Sequence, residues 1–117
     1  MQGNLCIGLA TIILSDINIK NLYLIIEGDK IAHQMGFKVL KYDCCEYKRD
    51  KEPNGITHIF YLAESHMSIE TYPENNTAEI TICSCKPFTE TNFAEALSNL
   101  DVINLQIIKR TIKGWEC

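Results

Sequence analysis

From residue 37 to residue 86 the chain is written in strand pattern, and that block constrains the fold more than any other feature. "FKVLKYDCCEYK" alternates, with Phe37, Val39 and Lys41 on one side and Leu40, Tyr42 and Cys44 on the other. "RDKEPNG" is a polar turn, "ITHIFYLAE" a further strand, "HMSIETY" another and "TAEITICSCK" the next, with "PENN" turning between the last two. Ahead of the block, "LCIGLATIIL" is a continuous β-branched run and reads as a buried strand. A helix is expected from about Ile19 to Met35, with Ile19, Leu22, Ile25, Ile26, Ala32 and Met35 at helical spacing. Gly28 weakens that helix slightly and Gly36 is placed to end it. After the block, Thr89 or Thr91 can cap a second helix carrying Phe93, Ala94, Ala96, Leu97 and Leu100. "VINLQIIKRTI" closes the chain as a sixth strand. This order predicts an α+β two-layer sandwich, a largely antiparallel sheet with both helices on one face. The other sheet face is left uncovered, which suits a second subunit.

A length of 117 residues fits a single domain, 1–117. The net charge is −4, and the longest basic cluster, Lys48, Arg49 and Lys51, is interrupted by Asp50, which argues against nucleic acid as a partner. The apolar run Leu5 to Leu14 has no basic residue before it and is too short to span a bilayer, so neither a signal peptide nor a membrane span is expected. A cytoplasmic protein is the expectation, and the Asn75-Asn76-Thr77 sequon then carries no weight. The six cysteines, Cys6, Cys44, Cys45, Cys83, Cys85 and Cys117, form no Cys-x-x-Cys pair. Free thiols are expected rather than a disulfide framework, and no metal site.

Chemistry is concentrated in "AESHMSIETYPE", residues 63 to 74. If the strand stays regular, Thr57, Ile59, Tyr61, Ala63 and Ser65 share one side, and His58, Phe60, Leu62 and Glu64 the other. Cys83 and Cys85, two apart, share a face of the next strand, and a hairpin between the two strands would bring one of them towards Ser65. On pattern alone Ser65 is a polar strand residue, His33 and His66 are surface histidines, and the cysteines are small core residues. The Ser-His dipeptide is no hydrolase triad, because no Gly-x-Ser-x-Gly elbow is present.

Glu64-Ser65-His66-Met67-Ser68-Ile69, Thr71-Tyr72-Pro73-Glu74 and Cys85 eleven residues later together closely resemble the small prokaryotic S-adenosylmethionine decarboxylases. The resemblance implies a pyruvoyl-dependent enzyme that processes itself. The Ser65 hydroxyl would attack the Glu64 carbonyl, and elimination would split the chain between 64 and 65 into 1–64 and 65–117. The new amino end would become a pyruvoyl group derived from Ser65. Decarboxylation needs an electron sink beside the α-carbon; a ketone supplies one through a Schiff base with the substrate amine, and no side chain carries a ketone. By position, Cys85 would return a proton to the α-carbon. Tyr72 takes the place of an aromatic that packs on adenine, and Glu74 closes the same substrate-binding stretch. The implied partners are S-adenosylmethionine and a second copy of the chain in a homodimer with its sites at the interface.

The sequence departs from the family pattern at four places. Glu70 stands where the family has a histidine that assists elimination, and a carboxylate is a weaker base than imidazole. Thr57 replaces the processing serine and keeps the hydroxyl. Lys51 falls where a second aromatic is expected. Leu5 and Leu9 replace a histidine and an acid in the first strand. Two other readings are therefore carried forward: the same chemistry on ornithine or arginine, and an uncleaved homologue that acts as a binding or regulatory subunit.

Overall fold

A computed structural model describes residues 2–14, 17–47, 54–98, 100 and 102–116. Its elements are β1 (Gln2–Leu14), α1 (Ile17–Gln34), β2 (Val39–Tyr47), β3 (Gly55–Leu62), β4 (Ser65–Tyr72), a 3-10 turn (Pro73–Asn75), β5 (Thr77–Ser84), α2 (Glu90–Leu97) and β6 (Val102–Glu116). The strands make one six-stranded sheet in the order β2-β3-β4-β5-β1-β6, and every pairing is antiparallel. The four-strand block thus folds as a meander, and β1 enters beside β5.

Both helices lie on one face, as the element order predicts. Phe60, Met67, Ile69, Ala78, Ile80, Ile82, Ala10 and Ile12 point into the core between the two layers. Phe93 of α2 sits over Gly8, where an added Cβ would stand 3.0 Å from its ring. Thr89, not Thr91, caps α2: its hydroxyl accepts from the Asn92 amide at 3.0 Å while the Asn92 carboxamide accepts from the Thr89 amide at 3.2 Å.

Gly36 ends α1 at φ +85°, with the Phe37 amide donating to the Ala32 carbonyl and the Gly36 amide to the His33 carbonyl, both at 2.9 Å. This is a Schellman closure, which favours glycine at that position. The buried stripe of α1 differs from the expected one. Leu24, Glu27, Gly28, Ile31 and Ala32 face the protein, whereas Ile25 is half-buried and Ile26 is 59% exposed. Gly28 is the reason: a Cβ there would run into the Phe60 ring and come within 3.2 Å of Ile69. The helix approaches the sheet most closely where it has no side chain, so apolar spacing alone misplaces the stripe.

Among the described residues, none covers the opposite sheet face. Register places Tyr61, His66, Cys83 and Ile7 in one row across it, Ile59, Ser68, Thr81 and Leu9 in the next, and Thr57, Glu70, Glu79 and Thr11 in a third. Leu5 and Leu9 are half-buried strand residues, whereas Lys51 and Cys117 lie outside the described residues.

Candidate active site

The β3–β4 turn is two residues long, Ala63 and Glu64, and it changes the expected geometry of Ser65. Glu64 has φ +68°, a left-handed backbone that glycine or asparagine ordinarily fills. After the turn Ser65 pairs with Leu62 on one side and Ser84 on the other, both on the helix face. Ser65 therefore shares the side of Phe60 and Leu62, not that of Thr57 and Tyr61. Regular alternation fails here because the turn reverses the chain instead of extending the strand.

Ser65 is half-buried, and its hydroxyl donates to the Ala63 carbonyl at 3.3 Å. The Glu64 carbonyl accepts from the Cys85 amide at 3.4 Å. Cys85 lies one residue beyond β5, so it does not share a strand face with Cys83 as expected. Its backbone, rather than a strand neighbour's side chain, closes the turn. The Ser65 hydroxyl thus holds the Ala63 carbonyl and the Cys85 amide the Glu64 carbonyl, one on each side of the left-handed residue.

The cysteines divide. Cys6, Cys44, Cys45 and Cys83 are thiols outside any disulfide, as expected, but Cys85 is disulfide-bonded, which corrects the expectation at that residue. Cys83 is half-buried opposite His66, and burial pushes its thiol pKa up, so it stays protonated at neutral pH.

Thr57 and Glu70 are cross-strand partners on the open face, both half-buried. The Tyr72 hydroxyl donates to the Glu70 carboxylate at 3.0 Å, so the candidate adenine aromatic and the candidate base are one unit. Glu79 is the partner of Glu70 on β5, which sets two carboxylates side by side. The alternation of "TAEITICSCK" carried that signal, because Glu79 and Cys83 share its exposed side. Glu74 is exposed in the 3-10 turn.

These groups form two clusters, not one. Glu70 lies five residues along β4 from Ser65, about 17 Å at roughly 3.4 Å per residue. It also points to the open face, whereas Ser65 takes the helix face. Glu70 and Thr57 of one chain thus cannot touch the 64–65 peptide of the same chain.

A second polar cluster lies outside the site. His58, 1% exposed, faces the helix layer, and its Nδ1 is 2.6 Å from the Tyr42 hydroxyl. Burial lowers the His58 pKa and, above all, raises that of Tyr42, so a neutral phenol donates to a neutral ring. The ring hydrogen then sits on Nε2, which has no partner among the described residues. No group of metal-ligating side chains occurs among the described residues, and no described helix is long and apolar enough to cross a membrane.

The family model for S-adenosylmethionine decarboxylase matches residues 25–107. A Bacillus cereus protein, S-adenosylmethionine decarboxylase proenzyme 2, is 38% identical over 68 residues, 57% of this chain and 55% of its own length. A Prochlorococcus marinus S-adenosylmethionine decarboxylase proenzyme is 50% identical over 34 residues, 29% of this chain and 27% of its own. The match thus spans about half the length of the Bacillus relative or less. The crystal structure of the adenosylmethionine decarboxylase from Aquifex aeolicus superposes with a TM-score of 0.63 at 19% identity, covering 99% of this chain and 93% of that one. At that identity the superposition shows the fold.

Proposed function

The chain belongs to the S-adenosylmethionine decarboxylase family, and on that premise we propose that it is a pyruvoyl-dependent decarboxylase that cuts itself between Glu64 and Ser65. The observation that supports this reading best is the left-handed Glu64, whose carbonyl, in the peptide bond to Ser65, is held by the Cys85 amide. A non-glycine residue in that backbone region costs about 1–2 kcal/mol, and strain held at one peptide is a mark of functional sites.

The chemistry follows from those atoms. The Ser65 oxygen attacks the Glu64 carbonyl carbon, and the negative charge that develops on the carbonyl oxygen falls where the Cys85 N–H already points. Breaking the C–N bond leaves an ester and a free amine on residue 65. A base removes the Cα proton of residue 65, and the Glu64 carboxylate departs from Cβ. Water then replaces the nitrogen of the resulting enamine, released as ammonia, to give the ketone. Once formed, the pyruvoyl group supplies the sink for the electron pair left when carbon dioxide departs. Cys85, with its sulfur reduced, returns a proton to that carbon.

The separation of the two clusters favours a homodimer. A second copy whose own open face meets the β3–β4 turn can deliver its Glu70, Thr57 and Tyr72 to the 64–65 peptide, which the first copy's residues cannot reach. The substrate of this reading is S-adenosylmethionine, the product is the aminopropyl donor for spermidine synthesis, and the setting is cytoplasmic. The paired carboxylates Glu70 and Glu79 favour a second substrate class, because they suit the extra cation of ornithine or arginine. Glu70 in the place of the family's histidine motivates the third reading, an uncleaved binding subunit.

Denaturing gels and carbon dioxide release from labelled adenosylmethionine, ornithine and arginine separate these. Two fragments, the second with a blocked amino end, and release from adenosylmethionine are expected. A continuous backbone with no carbonyl reducible by borohydride rules out the enzyme and leaves the binding subunit.

A further inference from the structure

We propose that turnover at this site is gated by the redox state of Cys85: the chain cuts itself with Cys85 in its disulfide and decarboxylates only after that disulfide is reduced. The inference rests on the function proposed above. Its basis is that the two stages draw on different atoms of one residue. Cleavage uses the Cys85 backbone amide, which holds the Glu64 carbonyl at 3.4 Å and is the same group in either redox state. Turnover uses the Cys85 sulfur, and that sulfur is disulfide-bonded while Cys44, Cys45 and Cys83 are free thiols. A disulfide sulfur carries no proton to give.

Cys83, two residues before Cys85, is the free thiol nearest in sequence that could open the bond by exchange. It is half-buried on the open sheet face, in the row of Tyr61 and His66, whereas Cys85 lies beyond the end of β5. Burial also keeps Cys83 as the thiol, and exchange needs the thiolate. The disulfide therefore persists until an external dithiol arrives. That dithiol gives up two electrons and two protons, becomes a cyclic disulfide, and leaves two thiols on the protein. Cys85 then donates its proton to the carbon that has lost carbon dioxide and regains one from water.

The full chain, purified without reductant, is assayed before and after dithiothreitol. Thiol counting and peptide mapping report the disulfide, borohydride reduction reports the pyruvoyl group, and labelled carbon dioxide reports turnover on the three candidate amino acids. Expected are equal pyruvoyl content in both states and turnover roughly a hundredfold higher after reduction, the contribution typical of a positioned proton donor. Cys85→Ser should cleave, turn over slowly and ignore dithiothreitol, whereas Cys83→Ser should keep the full response. Equal turnover from oxidised and reduced protein, both carrying the pyruvoyl group, overturns the gate alone. So does a chain with no disulfide at Cys85 after aerobic purification. Absence of the pyruvoyl group in both states overturns the enzymatic function and the gate with it.

Discussion

Glu64→Gly tests whether backbone strain drives cleavage. Glu64 sits at φ +68°, where a residue with a Cβ costs about 1–2 kcal/mol. Glycine removes that cost but brings back roughly 0.5–1 kcal/mol of unfolded-state freedom. The uncut chain should therefore gain about 0.5–1 kcal/mol, measured by urea unfolding in a Ser65→Ala background that cannot cleave. Cleavage should move the other way. The strain is present in the uncut turn and is released as the 64–65 bond gives way, so removing it raises the barrier by up to about 1–2 kcal/mol and slows cleavage by roughly 5- to 30-fold. Freshly translated chain, followed on denaturing gels, gives the rate. Glu64→Ala is the control, because it keeps the Cβ and the strain while deleting only the exposed carboxylate. It should cleave at the parental rate. If the glycine variant cuts as fast as the parent, or the alanine variant is as slow as glycine, strain is not the driver.

Three further outcomes follow from the geometry. Gly28→Ala should destabilise the fold by about 1–3 kcal/mol, the usual penalty for overpacking, because its Cβ meets the Phe60 ring; an unchanged urea midpoint would contradict the close helix approach. Burial depresses the folded-state pKa of His58, so its contribution to stability is fully present above the unfolded pKa of about 6.5 and is lost as pH falls from there through the folded value. The stability gap between the parent and His58→Phe should narrow in the parent's disfavour between pH 8 and pH 5, and a constant gap would place the ring in solvent. Co-expressing a Ser65→Ala chain with a Glu70→Ala chain should restore cleavage of the Glu70→Ala chain, since the uncuttable partner supplies Glu70; no rescue would mean that Glu70 does not act across subunits.

The parts of this fold that were legible in the sequence are those set by local chemistry. Gly36 ends α1 because a left-handed terminus disfavours a Cβ, and Thr89 opens α2 because its hydroxyl meets the Asn92 amide three residues on. The α1 stripe was misplaced because its centre is Gly28, which has no apolar side chain to count. The face of Ser65 depends on whether the strand stays regular, and the turn made of Ala63 and Glu64 re-aims it; nothing in those residue types announces a left-handed bend. That failure is informative: local preference is broken at the peptide bond proposed to be cut. The motif also read as a single constellation, since Glu64, Ser65, Glu70 and Tyr72 are close in sequence. Strand geometry separates them, about 17 Å along β4 at roughly 3.4 Å per residue and onto opposite faces of the sheet. A motif contiguous in sequence but divided by a strand reads as one site in the proposed homodimer, where one copy supplies the 64–65 peptide and the other Glu70 and Tyr72.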